Sequence, residues 1–359
     1  MSKDFNSMKP WGMLARCVVN PDHSVAYFLH PENSNLKEDG TEVDWEEVEE
    51  LGQNVMVQIP KFYYVKKWVE EQQAFIFGVT DKPVDTDYVN IDEWEVHPAF
   101  FRDRTKFCDD QDANPVEVDY RYVGAFHGWV DGKGRLRSLP GKLPTGSRTI
   151  GGFRNHAKNM GVGWSQFDYY LLYAIQMLYI TEYGHPDSQT MIGRGFVDGN
   201  SSSIETGGTL QYGNNTFGET TGKQQMSYRG IEDLWGNVFN WIDGFILNKP
   251  SVGNISVSNK GFNNNGTGYK TIGSIGSSIE GNIRQVRDEA ELGFIPKTTG
   301  GSYKNDGLYD YGYLYVVYST RVATCGGHWS SGSNAGAFYF HVYWDASYSR
   351  SNVGARLCL

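Results

Sequence analysis

The chain has 359 residues, of which 39% are hydrophobic and 14% aromatic, and its formal net charge is −10. This size allows one large domain or two smaller ones with a packed core. The negative charge argues against nucleic acid or an anionic membrane as the main partner, because both reward clustered Lys and Arg. No apolar run approaches the length of a membrane span, so no membrane insertion is expected.

The N-terminus lacks the apolar core and the small-residue cleavage site of a secretory signal. The four cysteines, Cys17, Cys108, Cys325 and Cys358, are scattered without a C-x-x-C pair. This spacing indicates neither a zinc site nor a disulfide framework. We therefore expect reduced, buried thiols in a chain made in a cytoplasm, with no cofactor and no metal.

The first part of the chain is predicted to be rich in strands. Residues 1–50 form a β-rich lead-in that ends in an acidic segment, which is typical of a solvated surface. Strands are predicted over 55–65, 91–101 and 116–126, and Pro60 places the first of them at a sheet edge or a bulge. A Gly- and Pro-rich loop is expected over 132–152.

The strongest helix signal covers Ser165 to Tyr183. Ser165 is expected to cap its N-terminus, with Asp168 completing an arrangement close to a capping box. Gly184 and the proline that follows should end it. Apolar residues recur at helical spacing and predict one buried face. A shorter helix is predicted over 153–159.

Two Gly/Asn/Ser-rich tracts, 198–215 and 254–278, are predicted to be long irregular loops of the kind that often carry binding. The order of strands, then helices, then loops and short strands predicts an α+β fold.

Between these tracts lies the segment 228–245, YRGIEDLWGNVFNWIDGF. Asp233 and Asn237 are turn formers whose side chains bond nearby backbone groups, and Gly236 allows a tight bend. The apolar residues that follow, from Val238 to Trp241, should start a strand that enters the core.

The closing stretch 313–353 has a different composition from the rest of the chain. It is crowded with Tyr, Ser, Gly, Ala, His, Asn and Trp, and it contains no Lys, Glu, Gln or Met. Its formal charges are Arg321, Asp345 and Arg350 alone. Rigid aromatics with small polar residues are typical of a recognition surface, whereas a catalytic site needs fixed titratable groups at defined spacing.

Within this stretch, residues 338–343 alternate as a strand should. One face carries Phe338, Phe340 and Val342, which fit a core. The other carries the amphipathic side chains of the three intervening residues, which fit a surface that faces a ligand. An ordinary half-exposed strand is the alternative interpretation.

The segment 228–245 resembles the D-L-x-G-N-V-x-E-W signature of the formylglycine-generating-enzyme-like branch of the C-type lectin fold, with Asn240 where that family usually has Glu. Residues 56–60 are similar to its opening M-V-x-I-P strand, and residues 354–357 to its closing strand. The resemblance implies a C-type lectin-fold domain over 51–359 with long Gly/Asn-rich loops.

That family contains both enzymes and binding proteins. Its oxidases hold copper with a close cysteine pair near the C-terminus, whereas Cys325 and Cys358 are far apart in sequence. The histidines show no metal-ligand spacing, and the E-P-N or Q-P-D loops of calcium-dependent lectins do not occur. The histidines concerned are His97, His127, His156, His185, His328 and His341.

The block from Gly326 to Phe338, followed by Ala346 and by Gly354 to Arg356, is similar to the closing block of variable proteins diversified by retroelements. In that family Asn codons of a template copy are mutated at adenine, and such codons never become Lys, Glu, Gln or Met. The missing residue types of the closing stretch agree with this process. Trp344 departs from it, because Trp is not reachable from an Asn codon, and it could instead be a fixed residue.

The resemblance implies two sets of residues within a variable region of about 313–353. The ligand-facing positions are His328, Ser330, Ser331, Ser333, Ala337, Tyr339, His341, Tyr343, Trp344, Asp345, Tyr348 and Arg350. The scaffold residues are Trp235, Gly236, Asn237, Trp241, Trp329, Phe338, Phe340, Val342, Gly354 and Arg356.

Segments at 58–64, 97–100 and 122–126 are similar to a common class of phage tail-fibre or tail-tip proteins. The resemblance implies a non-enzymatic protein of the virion that binds a bacterial cell-surface receptor, protein or glycan, alongside other phage tail proteins. A homotrimer would suit a tail fibre, although no coiled-coil heptads are present. A formylglycine-generating-type oxidase and a fixed carbohydrate-binding lectin module stay open as alternatives.

Overall fold

The computed structural model describes residues 4–83, 94–248, 253–300 and 310–359. The part of the predicted strand 91–101 that precedes residue 94 lies outside these residues. Strands far outnumber helices among the described residues, so the chain is richer in strands than the predicted α+β class suggests. The helices are α1 (Trp45–Glu50), α2 (Ile150–Lys158), α3 (Tyr169–Tyr183) and α4 (Ser188–Met191).

The strands lie along the whole described chain. They are β1 (Ala15–Val19), β2 (Val25–His30), β3 (Asn33–Lys37), β4 (Asn54–Pro60), β5 (Tyr63–Val69), β6 (Ala74–Thr80), β7 (Glu95–Val96), β8 (Phe101–Arg102), β9 (Val116–Glu117), β10 (Tyr120–Gly124), β11 (Trp129–Val130), β12 (Leu136–Arg137), β13 (Ser165–Gln166), β14 (Ser227–Tyr228), β15 (Ile231–Glu232), β16 (Phe239–Asn248), β17 (Asn254–Val257), β18 (Lys270–Ser274), β19 (Ile279–Val286), β20 (Pro296–Thr299), β21 (Tyr311–Leu314), β22 (Arg321–Cys325), β23 (Phe340–Val342), β24 (Val353–Gly354) and β25 (Leu357–Cys358).

The first of the two main sheets has the strand order β13-β25-β10-β4-β1-β2-β3. Strand β1 of the lead-in 1–50 therefore pairs directly with β4, and the last described strand, β25, pairs with β10. Pro60 is the final residue of β4, which lies between β1 and β10. Pro60 thus marks a strand end, where its missing N–H is tolerated, and not the predicted edge or bulge.

The second main sheet carries the closing stretch. Its order is β18-β17-β16-β22-β23-β21-β19-β20, with β24 paired to β16. The strands β17 and β18 correct the predicted irregular loop over 254–278, since residues 254–257 and 270–274 pair with each other. The tract 198–215 is irregular as expected, apart from a single 3₁₀ turn at Leu210–Tyr212.

Helix α3 begins later than the sequence predicts. Ser165 lies in β13, and Asp168 is the N-cap, where its side chain accepts a hydrogen bond from the Leu171 N–H. An Asp cap also complements the positive end of the helix. Gly184 ends the helix with a left-handed φ of 62°. All residues from Tyr169 to Ile180 are buried, so the helix is enclosed and not buried on one face alone.

The motif segment 228–245 folds as its sequence predicts. Asp233 and Asn237 adopt positive φ angles of 49° and 60°, and the Asn237 side-chain amide donates to the Asp233 carboxylate at 2.9 Å. A Cβ on Gly236 would lie 2.9 Å from the Phe196 carbonyl oxygen, so only glycine fits. The chain then enters β16, a ten-residue strand with nine buried residues. This segment fixes the centre of the second sheet.

Candidate functional site

The inward face of β23 and its flanks belongs to the main core. Phe338, Phe340 and Val342 are no more than 2% exposed, as predicted. The Phe340 ring lies 4.9 Å from the ring of Phe245 on β16 and 6.1 Å from that of Tyr169 on α3. Because alternate residues of a strand point to opposite faces, this packing fixes the direction of the residues between them.

The outward face carries Tyr339, His341 and Tyr343 in one row. The ring centroids of Tyr339 and His341 are 6.3 Å apart, and those of His341 and Tyr343 are 6.0 Å apart. Exposure rises along the row, from 7% at Tyr339 to 40% at Tyr343. The row is therefore continuous, with a buried end at Tyr339 and an open end at Tyr343.

Phe239, the first residue of β16, lies beneath this row and was not among the predicted site residues. Its ring contacts the rings of Tyr339 at 5.5 Å and His341 at 6.2 Å. It also contacts His328 at 4.8 Å and Trp344 at 5.4 Å. One buried ring from the motif segment thus supports four of the predicted ligand-facing side chains.

Trp344 and Tyr348 extend the same surface. Their rings stack at 4.3 Å with an interplanar angle of 6°, and the Trp344 ring lies 4.4 Å from that of His341. The guanidinium of Arg350 lies 6.0 Å from the centre of the Tyr348 ring. Trp344 is half-buried against Trp241 and Phe239. It therefore combines a supporting contact with a place on the surface.

A second row of tyrosines comes from β21 and the residue after it. In the parallel pairing of β21 with β23, Tyr313 lies opposite His341. The Tyr313 and Tyr343 rings are 5.3 Å apart and nearly parallel, and the Tyr315 and Tyr343 rings are 4.9 Å apart. These tyrosines lie on the outward face. In the sequence, only their position in the low-charge closing stretch indicates that they belong to this surface.

The loop 328–333 borders the surface beside His328. Its tip is held by a hydrogen bond from the His328 N–H to the Ser331 hydroxyl at 2.8 Å. Ser330 is exposed, whereas Ser331 and Ser333 are half-buried. The Gly332 N–H donates to the Val197 carbonyl at 2.9 Å, which ties the loop to the chain just before the 198–215 tract.

Burial corrects the predicted assignment of Ala337, and Tyr339, at 7% exposed, is buried as well. Ala337 was expected to face a ligand, but it is 2% exposed and belongs to the core. Its N–H donates to the Ser188 hydroxyl, and its carbonyl accepts from Gln176. Trp329 was expected to be scaffold, but its indole is half-buried against His328 at the rim. Its backbone is structural, because its N–H donates to the Asn237 carbonyl and its carbonyl accepts from the Asn200 N–H and side-chain amide.

The remaining predicted scaffold residues are buried. They are Trp235, Gly236, Asn237, Trp241, Phe338, Phe340, Val342, Gly354 and Arg356. The buried guanidinium of Arg356 donates to the carbonyls of Gly124, Glu232 and Asp233 at 2.7–2.9 Å. It joins the motif segment to the first sheet, so it works as a structural cross-brace.

A buried carboxyl group holds the start of the outward row. Asp310 Oδ2 accepts hydrogen bonds from the Phe338 N–H at 2.9 Å and from the Ser188 hydroxyl at 3.2 Å. Burial raises the pKa of Asp310 well above its usual value. Burial therefore favours the neutral form of this carboxyl group, which anchors the chain just before β23.

The surface carries few charges and its histidines are neutral. Burial lowers the pKa of both His328 and His341 to about 4. The Nδ1 atom of each ring has no hydrogen-bond partner among the described residues. The surface therefore offers aromatic rings and uncharged polar atoms.

The cysteines and histidines of the described residues form no group of three or more metal-ligating side chains with Asp or Glu. All four cysteines are buried and unpaired. Burial raises the pKa of Cys325 to about 12 and that of Cys358 above its usual range. These two thiols are poor nucleophiles and poor metal ligands as they stand.

No family model matches the chain, and no curated protein matches it. Among solved structures, it is similar to the Major Tropism Determinant U1 variant, with a TM-score of 0.34 and 12% identity over 83% of this chain and 72% of that chain. The M1 variant gives 0.34 and 11% over 83% and 71%, and the P3c variant gives 0.35 and 10% over 96% and 71%.

These neighbours are variable proteins of the kind that the closing block of the sequence resembles, with a C-type lectin fold. Similarity at these TM-scores does not establish the function of this chain. The function of this chain is therefore inferred from its own residues and their contacts.

Proposed function

We propose that this chain is a non-enzymatic receptor-binding protein of a phage tail, with a retroelement-diversified surface on a C-type lectin fold of the formylglycine-generating-enzyme-like branch. One observation carries the proposal. Tyr339, His341 and Tyr343, on β23 and its flanks, form a continuous aromatic row, while the alternate residues Phe338, Phe340 and Val342 are buried in the core. A surface built in this way can change its side chains without loss of the fold.

The ligand-facing positions of this proposal are His328, Ser330, Ser331, Ser333, Tyr339, His341, Tyr343, Trp344, Asp345, Tyr348 and Arg350. Ring contacts link most of the aromatic members to each other or to Phe239. Tyr and Trp supply large, rigid contact areas at a low entropy cost, and small polar residues supply adaptable hydrogen bonds. Substitutions at such positions alter specificity and leave the buried frame in place.

The partner is a bacterial cell-surface receptor, and the site of action is the virion, where other tail proteins hold this chain. Several copies on one particle would raise the avidity of weak single sites by about 10²–10⁴. A homotrimer would supply such copies. The described residues contain no helix that is long and apolar enough to cross a membrane.

The experiment is to sequence sibling clones together with the DNA that flanks the gene. We expect a near-copy of the 3′ coding end that differs at adenines, a reverse transcriptase gene, and substitutions concentrated at the outward positions. A fixed carbohydrate-binding lectin module would instead show no such concentration. Substitutions spread evenly over core and surface would contradict the proposal.

A further inference from the structure

We propose that the tyrosines of β21 and its end, Tyr313 and Tyr315, form a constant half of the receptor-binding surface. These tyrosines lie in the closing stretch 313–353, but they precede the block similar to diversified proteins, which begins at Gly326, and they are not among the predicted ligand-facing positions. The inference rests on the proposed function and extends it. The outward row of Tyr339, His341 and Tyr343 changes from clone to clone. Tyr313 and Tyr315 keep the same side chains and contact each new receptor.

The two rows form one surface because their strands are neighbours in register. Tyr313 lies opposite His341 in the pairing of β21 with β23, so both side chains leave the same face of the sheet. Their rings are 5.3 Å apart. Tyr343, the open end of the diversified row, contacts the rings of both Tyr313 and Tyr315. A ligand seated on Tyr343 therefore also meets the constant row.

The constant row is held by a rigid backbone. Strand β21 is paired on both sides, with β19 and with β23. Beyond the strand end, the Tyr315 N–H donates to the Val342 carbonyl at 3.1 Å. At the other end, the Tyr311 hydroxyl donates to the Glu280 carboxylate at 2.6 Å. Side chains placed on rigid strands lose less entropy on binding than those on loops.

Arg321 clamps the two rows together. Its guanidinium lies 5.8 Å from the centre of the Tyr315 ring and 6.0 Å from that of Tyr343. Asp345 lies 3.7 Å from the same guanidinium. The cation–π contacts orient one ring from each row, and the carboxylate balances the charge. The clamp leaves the centre of the surface close to neutral.

The chemistry of the surface favours a folded protein as its partner. Tyr, Trp and Arg are the residues that dominate the binding energy of protein interfaces. A polyanionic surface polymer would need clustered cations, whereas the stretch 313–353 has only Arg321 and Arg350, and Arg321 is already engaged. Exposed aromatic or aliphatic side chains of a receptor would pack on the tyrosine rings.

The test is a selection that needs no knowledge of the natural receptor. The outward positions are randomised in the full chain, with Tyr313, Tyr315 and Trp344 unchanged, and binders are selected against hen egg lysozyme and, in parallel, against dextran. Several independent binders then receive Tyr313→Ala and Tyr315→Ala separately. The matched control is Tyr318→Ala, because Tyr318 is 88% exposed on the loop after β21.

We expect lysozyme binders in which Tyr313→Ala or Tyr315→Ala raises Kd about tenfold or more, with Tyr318→Ala within about twofold. Melting temperatures separate lost contacts from lost folding. If Tyr313→Ala unfolds a binder, that binder is tested with Tyr315→Ala and Tyr313→Phe instead. Tyr313→Phe keeps the ring and should retain most of the affinity of the parent binder.

The outcomes separate the two proposals. Binders that tolerate both alanine variants would overturn the constant row and leave the proposed function intact. A library that folds but gives no binder to either target would count against the exchangeable surface itself. Binders to dextran alone would overturn a protein as the partner.

Discussion

The motif segment 228–245 and the closing surface 328–350 are neighbours in space but use their residues in opposite ways. In the first, the turn-forming side chains bond to one another, and the nearby Arg356 binds three carbonyls. In the second, rings stack side by side and the histidine Nδ1 atoms have no partner among the described residues. Stability and the proposed recognition are therefore assigned to different residues, and Phe239 and Trp241 of the motif segment contact the rings of the closing surface.

The largest expected effect lies in the motif region. Arg356→Met leaves three buried carbonyls without their donor and removes a buried cation that lies near Glu232 and Asp233. We expect a loss of about 3–5 kcal/mol in the free energy of unfolding, measured by urea denaturation. Arg350→Met on the surface is the matched control, with an expected change within about 0.5 kcal/mol. Similar losses in both variants would break the comparison.

The two faces of residues 338–343 give the next test. Phe340→Ala empties a core position and should cost about 3–5 kcal/mol of unfolding free energy. Tyr343→Ala, three residues away on the other face, loses its ring contacts with Tyr313 and Tyr315 and should cost about 1 kcal/mol. Urea denaturation of both variants measures the difference. A larger loss of unfolding free energy for Tyr343→Ala than for Phe340→Ala would mean that the outward row stabilises the core.

The pH dependence of the free energy of unfolding tests the motif segment separately from the closing surface. Burial, and then the charge of Glu232, raise the pKa of Asp233 from 3.8 to about 8. The folded state therefore holds a proton that the unfolded state releases, so stability is greatest below about pH 4 for this group and falls as pH rises toward about 8. The slope is at most about 1.4 kcal/mol per pH unit for one proton.

Unfolding free energies of wild type and Asp233→Asn between about pH 5 and pH 8 measure this contribution. The variant should show a smaller decline, because its side chain does not titrate. Asp310→Asn should flatten the profile in the same direction, since burial also raises the pKa of Asp310. Unchanged profiles in both variants would show that these groups do not titrate in that window.

The smallest effect is expected at the closing surface. Because burial lowers the pKa of His328 and His341 to about 4, both rings stay neutral at higher pH. For a selected lysozyme binder that retains both histidines, Kd should change by less than about twofold between about pH 6 and pH 8. A steep change in Kd over that range, absent after His341→Asn, would show that a histidine gains charge on binding.

Much of the fold was readable from local pattern. The motif segment, the alternation over 338–343 and the end of α3 at Gly184 follow from residue types that act on their own backbone. The predicted Ser165 cap was wrong because a two-residue strand, β13, pairs with β25 at that point and leaves Asp168 as the cap. The prediction of an irregular loop over 254–278 was wrong because β17 and β18 pair with each other there. The local sequence of these Gly/Asn-rich residues does not indicate this pairing.

The sequence by itself determined which of residues 338–343 face inward and which face the opposite side, since that alternation is a property of one strand. Only the tertiary structure decided what lies beside and beneath the outward row. Phe239 and the tyrosines of β21 arrive from distant parts of the chain through long-range pairing, and Ala337 is buried by the turn that Asp310 and Ser188 hold. Contacts between strands depend on register and sheet order, and these are set by the packing of the whole core.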